Sequence, residues 1–181
     1  MSFDLQPTLR GKLVELRPLM APDFDALFAV ARDPLMWEQR PSRDRYKEDV
    51  FRTFFSEGLD SGGALLAIDA ADGRVIGSSR FHGYNEERSE IEIGWTFLSR
   101  SHWGGRYNTE MKDLMLRHAF RFVDRVVFLI GPDNIRSRRA VEKIGAVLIA
   151  PRIDEKGVER VVYEITRDRF RRDPLSIQAR R

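Results

Sequence analysis

Apolar residues along this chain switch repeatedly between a period of two and a period near 3.6, and each switch marks an element. Val14 and Leu16 alternate with Glu15 and Arg17, which predicts a strand over residues 11–17 that Pro18 ends. Phe24, Leu27, Phe28 and Ala31 recur at helical spacing over residues 22–32, and Asp33-Pro34 stops that helix. Val50, Phe54 and Phe55 predict a second helix over residues 45–57, with Gly58 as its stop. Strands follow at residues 64–69, 74–84 and 89–98. The turn-forming segments Ala71-Asp72-Gly73 and Asn85-Glu86-Glu87-Arg88 separate them, so an antiparallel meander is expected. Tyr107, Met111, Leu114, Met115, Ala119 and Phe122 line one face of a long helix over residues 105–123. A β-branched run at residues 125–130 reads as a buried strand. A further helix spans residues 134–144, with Gly145 placed for a left-handed C-cap, and two strands at 146–154 and 158–166 flank Glu155-Lys156-Gly157. The sum is an α/β chain around a mixed sheet, antiparallel at first and linked strand–helix–strand later.

Length and composition narrow the picture. The 181 residues suit a single domain over residues 1–170, and no linker or internal repeat divides them. With no cysteine there are no disulfides, thiolate metal sites or cysteine nucleophiles, which fits a cytoplasmic protein. The N-terminus lacks a signal-peptide pattern, and no apolar run approaches the roughly 18 residues of a membrane span. His82, His102 and His118 have no ligand spacing, so no metal is expected, and no Ser-His-Asp pattern stands out. His102 reads as a surface loop residue. The net charge of +3 is spread among interleaved acids and bases, except in a basic tail at residues 171–181. That tail is a solvated end or a contact for an anionic partner such as RNA, and the first reading is preferred.

Candidate chemistry concentrates between Ile91 and Glu110. An apolar strand runs into a short loop, then Gly104 and Gly105, then a long helix. Glycine pairs let the backbone curl around an anion, and the free amides of the helix start face the same point. Arg100 and Arg106 add charge, so the segment reads as a diphosphate site. No Gly-Lys-Ser/Thr follows, which excludes a Walker A loop, and the Gly-x-Gly-x-x-Gly of dinucleotide folds is missing. One strand later comes Pro132-Asp133-Asn134-Ile135-Arg136-Ser137, leading into Glu142-Lys143-Ile144-Gly145.

With these segments the sequence resembles the GCN5-related N-acetyltransferase (GNAT) family, and its nearest branch looks like the Rim-type enzymes that modify ribosomal-protein N-termini. The likeness runs over residues 9–167 and rests on Glu92-Ile93-Gly94-Trp95, Trp103-Gly104 with Tyr107, Thr109-Glu110, and Asn134-x-x-Ser137. The family's loop reads Arg/Gln-x-x-Gly-x-Gly/Ala. Here Trp103, Arg106 and Asn108 fall at those positions, so the glycines sit one place early. The resemblance implies a three-layer fold, with a mixed sheet of about seven strands, a splayed fourth/fifth strand pair and about four helices. It implies acetyl-CoA as co-substrate and an amine acceptor, a peptide N-terminus or a small molecule, in a monomer or homodimer.

Site roles follow from the same likeness. Diphosphate would meet Arg100, Trp103, Gly104, Gly105, Arg106, Tyr107, Asn108 and Thr109, while pantetheine would lie along Trp95, Phe97, Leu98 and Asn134. Gly94 would host the bulge that opens the strands. Glu92 is the expected general base, with Glu90 on the same face able to share the role and form an acidic rim. Ser137 would protonate or hydrogen-bond the departing sulfur, and Arg138 and Arg139 would reach the 3′-phosphate. Asn134 also suits an N-cap, and Trp37 is either a core plug or a wall of the acceptor pocket. Two other functions stay open on the same fold: a non-catalytic acyl-CoA-binding module and an RNA-associated protein.

Overall fold

The computed structural model describes residues 2–172. Its eight strands are β1 (Leu9–Arg10), β2 (Val14–Pro18), β3 (Ala64–Asp69), β4 (Val75–Asn85), β5 (Glu90–Leu98), β6 (Arg125–Ile130), β7 (Val147–Ile153) and β8 (Glu159–Thr166). Five helices join them: α1 (Phe24–Ala31), α2 (Glu48–Asp60), α3 (Arg106–Ala119), α4 (Ile135–Lys143) and α5 (Arg167–Arg172). The sheet order is β1-β2-β3-β4-β5-β6-β8-β7. Every neighbouring pair is antiparallel except β5 and β6.

Two apolar clusters make the layers. One side buries Ile91, Ile93, Leu98, Met111, Met115 and Val141 beneath α3 and α4. On the other, α1 and α2 bury Leu27, Phe51, Phe54 and Phe55 against Leu66 and Phe97. The sheet gains a strand over expectation because the short β1 folds back on β2. The extra helix, α5, seals one end with Phe170 against Phe120, at ring centroids 5.3 Å apart. Arg171 and Arg172, assigned to the tail, belong to that helix, while residues 173–181 of the tail lie outside the described residues. Gly58 does not stop α2. It sits inside the helix, where a Cβ would come within 3.2 Å of Arg80 Nη2. No helix among the described residues is long and apolar enough to cross a membrane.

The β5–β6 pair is the feature that makes a site. Pairing covers only residues 90–92 of β5, opposite Arg125, Val126 and Val127. Beyond Glu92 the strands part, leaving one edge of β5 without a strand partner. The bulge comes at Trp95 rather than Gly94. Ser78 pairs with Phe97 and Arg80 with Gly94, so β5 carries one more residue than β4 over this stretch. Trp95 has φ +52°, an uncommon conformation for a bulky side chain that a bulge in a rigid sheet can hold. The extra residue reverses the alternation: Ile91 and Ile93 face α3 before it, Leu98 after it. Phe97 is thereby turned toward α2.

The front of α3 is tied to the opposite end of the sheet. Glu110 accepts backbone N–H bonds from Lys12 (3.0 Å), Leu13 (2.7 Å) and Val14 (2.8 Å). Gly11 permits this close approach, since a Cβ there would lie 2.4 Å from Glu110 Oε2. Glu110→Ala leaves three donors without their acceptor in a largely buried corner. It is expected to cost about 3–4 kcal/mol, which thermal melting reads as a fall on the order of 10 °C. A loss of a degree or less would show that water replaces the carboxylate.

Candidate active site

The loop between β5 and α3 presents a row of unused donors. A single turn at Arg100–His102 leads to Trp103, whose N–H bonds to the Arg100 carbonyl. Gly104 (φ +108°) and Gly105 (φ +104°) then take left-handed conformations that side chains resist. The next amide with a backbone acceptor is Thr109, on the Gly105 carbonyl. Among the described residues, the N–H groups of residues 104–108 therefore have no acceptor. They gather at the positive end of a 14-residue helix, an arrangement fitted to a phosphate group. The displaced glycines thus still build a nest of amides.

Side chains pin this loop from behind. His102 is buried, not a surface residue: Nε2 lies 2.9 Å from Asp69 Oδ2 and Nδ1 lies 2.9 Å from Ser101 Oγ. Tyr107 donates its hydroxyl to the same Asp69 oxygen at 3.2 Å, and Trp103 Nε1 donates to the Leu98 carbonyl at 2.9 Å. The Ala71 backbone N–H and then His102 hold the Asp69 carboxyl below its ordinary range. This Ser–His–Asp chain anchors the turn, since the histidine bridges to the end of β3. Arg100 is committed to Asp33. Arg106 is exposed and has no ion-pair partner among the described residues, so of the two it is the one free to meet a phosphate.

Where β5 leaves β6, the carboxylates divide. Glu90 is buried and gripped at both oxygens by Arg152, at 2.6 and 2.9 Å. That pair takes Glu90 out of the acidic rim and gives it a structural part. Glu92, two residues on, stands at the last paired position, and its carboxylate makes no hydrogen bond among the described residues. Burial, reinforced by Glu155, raises its pKa to about 7, and Arg80 opposes the rise. Across the strand, His82 meets Glu155 at 2.8 Å and stacks edge-on to Trp95, at 5.1 Å between ring centroids. Trp37 resolves as a core plug: it is fully buried, its Nε1 donates to the Ala31 carbonyl, and its ring lies against Phe97. Phe97 is buried in the same cluster, so any contact it makes with a ligand is through backbone.

Asn134 caps α4, its Oδ1 accepting the Ser137 N–H at 3.2 Å. The cap uses only the oxygen and leaves the amide nitrogen available. Ser137 follows in the first turn. Arg138 bonds to the Tyr163 hydroxyl and the Pro132 carbonyl, whereas Arg139 is exposed. Arg136 sits over the Trp103 ring, its Cζ 3.9 Å from the centroid, and so links α4 to the glycine loop. Sequence reasoning missed Lys112, buried on α3. Its ammonium bonds to Thr96 Oγ1 on β5 and sits 5.6 Å from the Phe128 ring on β6. Burial, with Arg40 adding repulsion, lowers its pKa to about 7. The available signal was a lysine amid the apolar face of α3, next to Met111.

A mixed sheet with one splayed parallel pair, an amide nest beside it and a capped helix opposite defines an acyl-CoA-dependent transferase. The acetyltransferase (GNAT) domain model matches residues 14–147, well over half of the chain, and the chain belongs to that family. It is an acyl-CoA N-acetyltransferase. Among solved structures, an acetyltransferase from Agrobacterium tumefaciens str. C58 is 27% identical with a TM-score of 0.69, over 92% of this chain and 98% of that one. A GCN5-related N-acetyltransferase from Brucella melitensis matches with a TM-score of 0.81 at 20% identity, over 96% and 85% of the two chains. Mycobacterium smegmatis RimJ in complex with CoA-disulfide matches with a TM-score of 0.64 at 19% identity, over 86% and 82%. These last two are likenesses of fold. No curated protein sequence matches the chain.

Proposed function

We propose that this chain transfers the acetyl group of acetyl-CoA to a primary amine, on a peptide N-terminus or a small molecule, by direct attack in a ternary complex. The observation that carries the reading is Glu92, a carboxylate without a hydrogen-bond partner at the point where β5 and β6 separate, with its pKa raised to about 7. A base poised near neutrality can take a proton from an incoming ammonium, directly or through water. The amides of residues 104–108 and the Arg106 side chain hold the diphosphate, and the free edge of β5 near Trp95, Phe97 and Leu98 pairs with the pantetheine amides. Asn134 contributes its free amide nitrogen. A β5 backbone N–H hydrogen-bonds to the thioester carbonyl as charge develops. Glu92 accepts the amine proton, and the Ser137 hydroxyl passes a proton to the sulfur while taking one from water, as the C–N bond forms and the C–S bond breaks. Holding both reactants along the gap supplies much of the acceleration. The Rim-type relationship favours an N-terminal amine, and a cytoplasmic setting follows from that reading.

Thiol release in the presence of acetyl-CoA, screened over peptides, amino acids, polyamines and aminoglycosides, tests the proposal. Ser137→Ala is expected to lower kcat about 10–100-fold with little change in acetyl-CoA affinity. Unchanged turnover in that variant would remove Ser137 from the reaction. Stabilisation by acetyl-CoA without thiol release from any amine would favour a binding module.

A further inference from the structure

On the α2 face of the sheet, three guanidinium groups converge, and among the described residues none has an acceptor bound to its side chain. Arg80 projects from β4 and is 5% exposed, yet its side chain makes no hydrogen bond and no ion pair within 4.0 Å among the described residues. Its Nε is buried and unsatisfied, as is Nε of Arg40. Arg45 likewise has no ion pair among the described residues. All three lie over aromatic faces: Arg80 is 4.5 Å from the Trp95 ring centroid, Arg45 is 4.4 Å from Phe54, and Arg40 is 5.3 Å from Trp37. Aromatic faces offset part of the desolvation but accept no N–H bonds of ordinary strength. Glu57, the carboxylate that acts most on Arg45 and Arg80, is on the exposed side of α2 and bonds to neither. Arg80 is buried and Arg40 and Arg45 are half-buried, and Glu57 and Glu92 act on Arg80 without bonding to it; positive charge placed so, with unused N–H donors, is costly unless an anion meets it.

The position of this cluster fixes which reactant carries the anion. Arg80 pairs with Gly94 across β4 and β5, and His82 pairs with Glu92, so Arg80 and Glu92 are diagonal neighbours on one face. Such neighbours have backbones about 7–8 Å apart, within reach of one small ligand for two long side chains, so one molecule can meet Glu92 with an amine and Arg80 with an anionic group. β4 lies on the side of β5 away from β6, off the line of the gap. Arg40 and Arg45 come from the segment between α1 and α2, whose Pro41 rests on Gly131; a Cβ there would be 3.2 Å from Pro41 Cγ. Arg80 and Arg45 therefore stand on the β4 side, away from the amide nest, while Arg40 lies nearer the gap, where it acts on Lys112 and Arg136.

We infer that the acceptor is an amine bearing its own carboxylate near the reacting nitrogen, held by Arg80 and Arg45 with Arg40 alongside. This rests on the acetyl-transfer reading above and narrows its substrate class. Planar guanidinium forks bind carboxylates in pairs of parallel hydrogen bonds, and the aromatic stacks keep them in place for it.

Thiol release with acetyl-CoA should be measured for glycine, aspartate and glutamate against glycinamide, aspartic acid diamide and glutamic acid diamide, and for Glu-Ala against Gln-Ala, both as C-terminal amides. Carboxylate-bearing members are expected to show at least about 10-fold higher kcat/KM, with Arg45→Gln and Arg80→Gln erasing the preference chiefly through KM. Preference for free amino acids or for Glu-Ala distinguishes the source of the carboxylate, and either supports the assignment. Equal turnover of acids and amides would overturn it while leaving acetyl transfer intact. A preference for succinyl-CoA over acetyl-CoA with neutral amines, lost in Arg80→Gln, would also overturn it by moving the anion to the donor. Should no amine react, calorimetry with glutamate decides: no Arg45-dependent heat overturns the site. Arg45→Gln, on a loop, keeps the test valid if Arg80→Gln fails to fold.

Discussion

Gly105→Asp is expected to abolish the rise in melting temperature that acetyl-CoA gives the unaltered protein, and to weaken its binding about 100-fold or more. Two causes act together. The residue has φ +104°, where any Cβ is strained by about 1–3 kcal/mol, so the loop shifts or pays that cost. With the diphosphate held as proposed, the new carboxylate would face it from within the amide row, and like charges near 4 Å repel by about 4 kcal/mol at an intermediate dielectric. The added side chain meets no steric obstacle, because nothing lies within 4 Å of a Cβ at this position. Gly105→Asn separates the two causes, since it has the same shape and no charge. It should keep a reduced stabilisation by acetyl-CoA where the aspartate keeps none. Full stabilisation in both variants would place the diphosphate elsewhere.

The parts of the fold legible in the sequence were those with a strong local period and clear punctuation. β3 and β6 fall on their expected bounds because each is a compact apolar run between turn residues, and Gly145 adopts the left-handed cap conformation its position suggested, with φ +92°. What local pattern could not show were features set by tertiary contact. Gly58 looked like a helix stop, yet its lack of a side chain makes room for Arg80. The bulge was expected at Gly94 on conformational grounds, but register between β4 and β5 puts the strained residue at Trp95. Gly11 gave no sign that a glutamate nearly a hundred residues later would close on its backbone. At the site, the glycine loop was visible because its chemistry is contiguous. Glu90 and Glu92 could not be told apart by alternation alone, since only the position of Arg152 on β7 divides them. The arginine cluster, drawn from β4 and the loop before α2, had one local clue: a charged residue in the buried centre of β4.

Glu92→Gln should produce an enzyme that is slower and, above neutral pH, more stable. A base must be ionised to act, so kcat/KM of the unaltered protein should fall about tenfold per pH unit below about pH 7, the pKa of Glu92. In Glu92→Gln that limb should vanish, with turnover reduced about 10²–10³-fold. Stability moves the opposite way. Burial raises this carboxyl from 4.5 to about 7, so the folded state holds a proton that the unfolded chain has already released between those values. The cost of the buried charge is absent below pH 4.5, grows as pH rises toward 7, and is constant above it, at about 3 kcal/mol. Melting curves should therefore coincide for the two proteins near pH 4 and separate by several degrees at pH 8, with the glutamine variant higher. A variant that lost activity and stability together would identify Glu92 as a structural carboxylate instead. Loss of function combined with gain of stability is the signature of a residue kept in an unfavourable setting for its chemistry, and the free oxygens at the fork of β5 and β6 are such a setting.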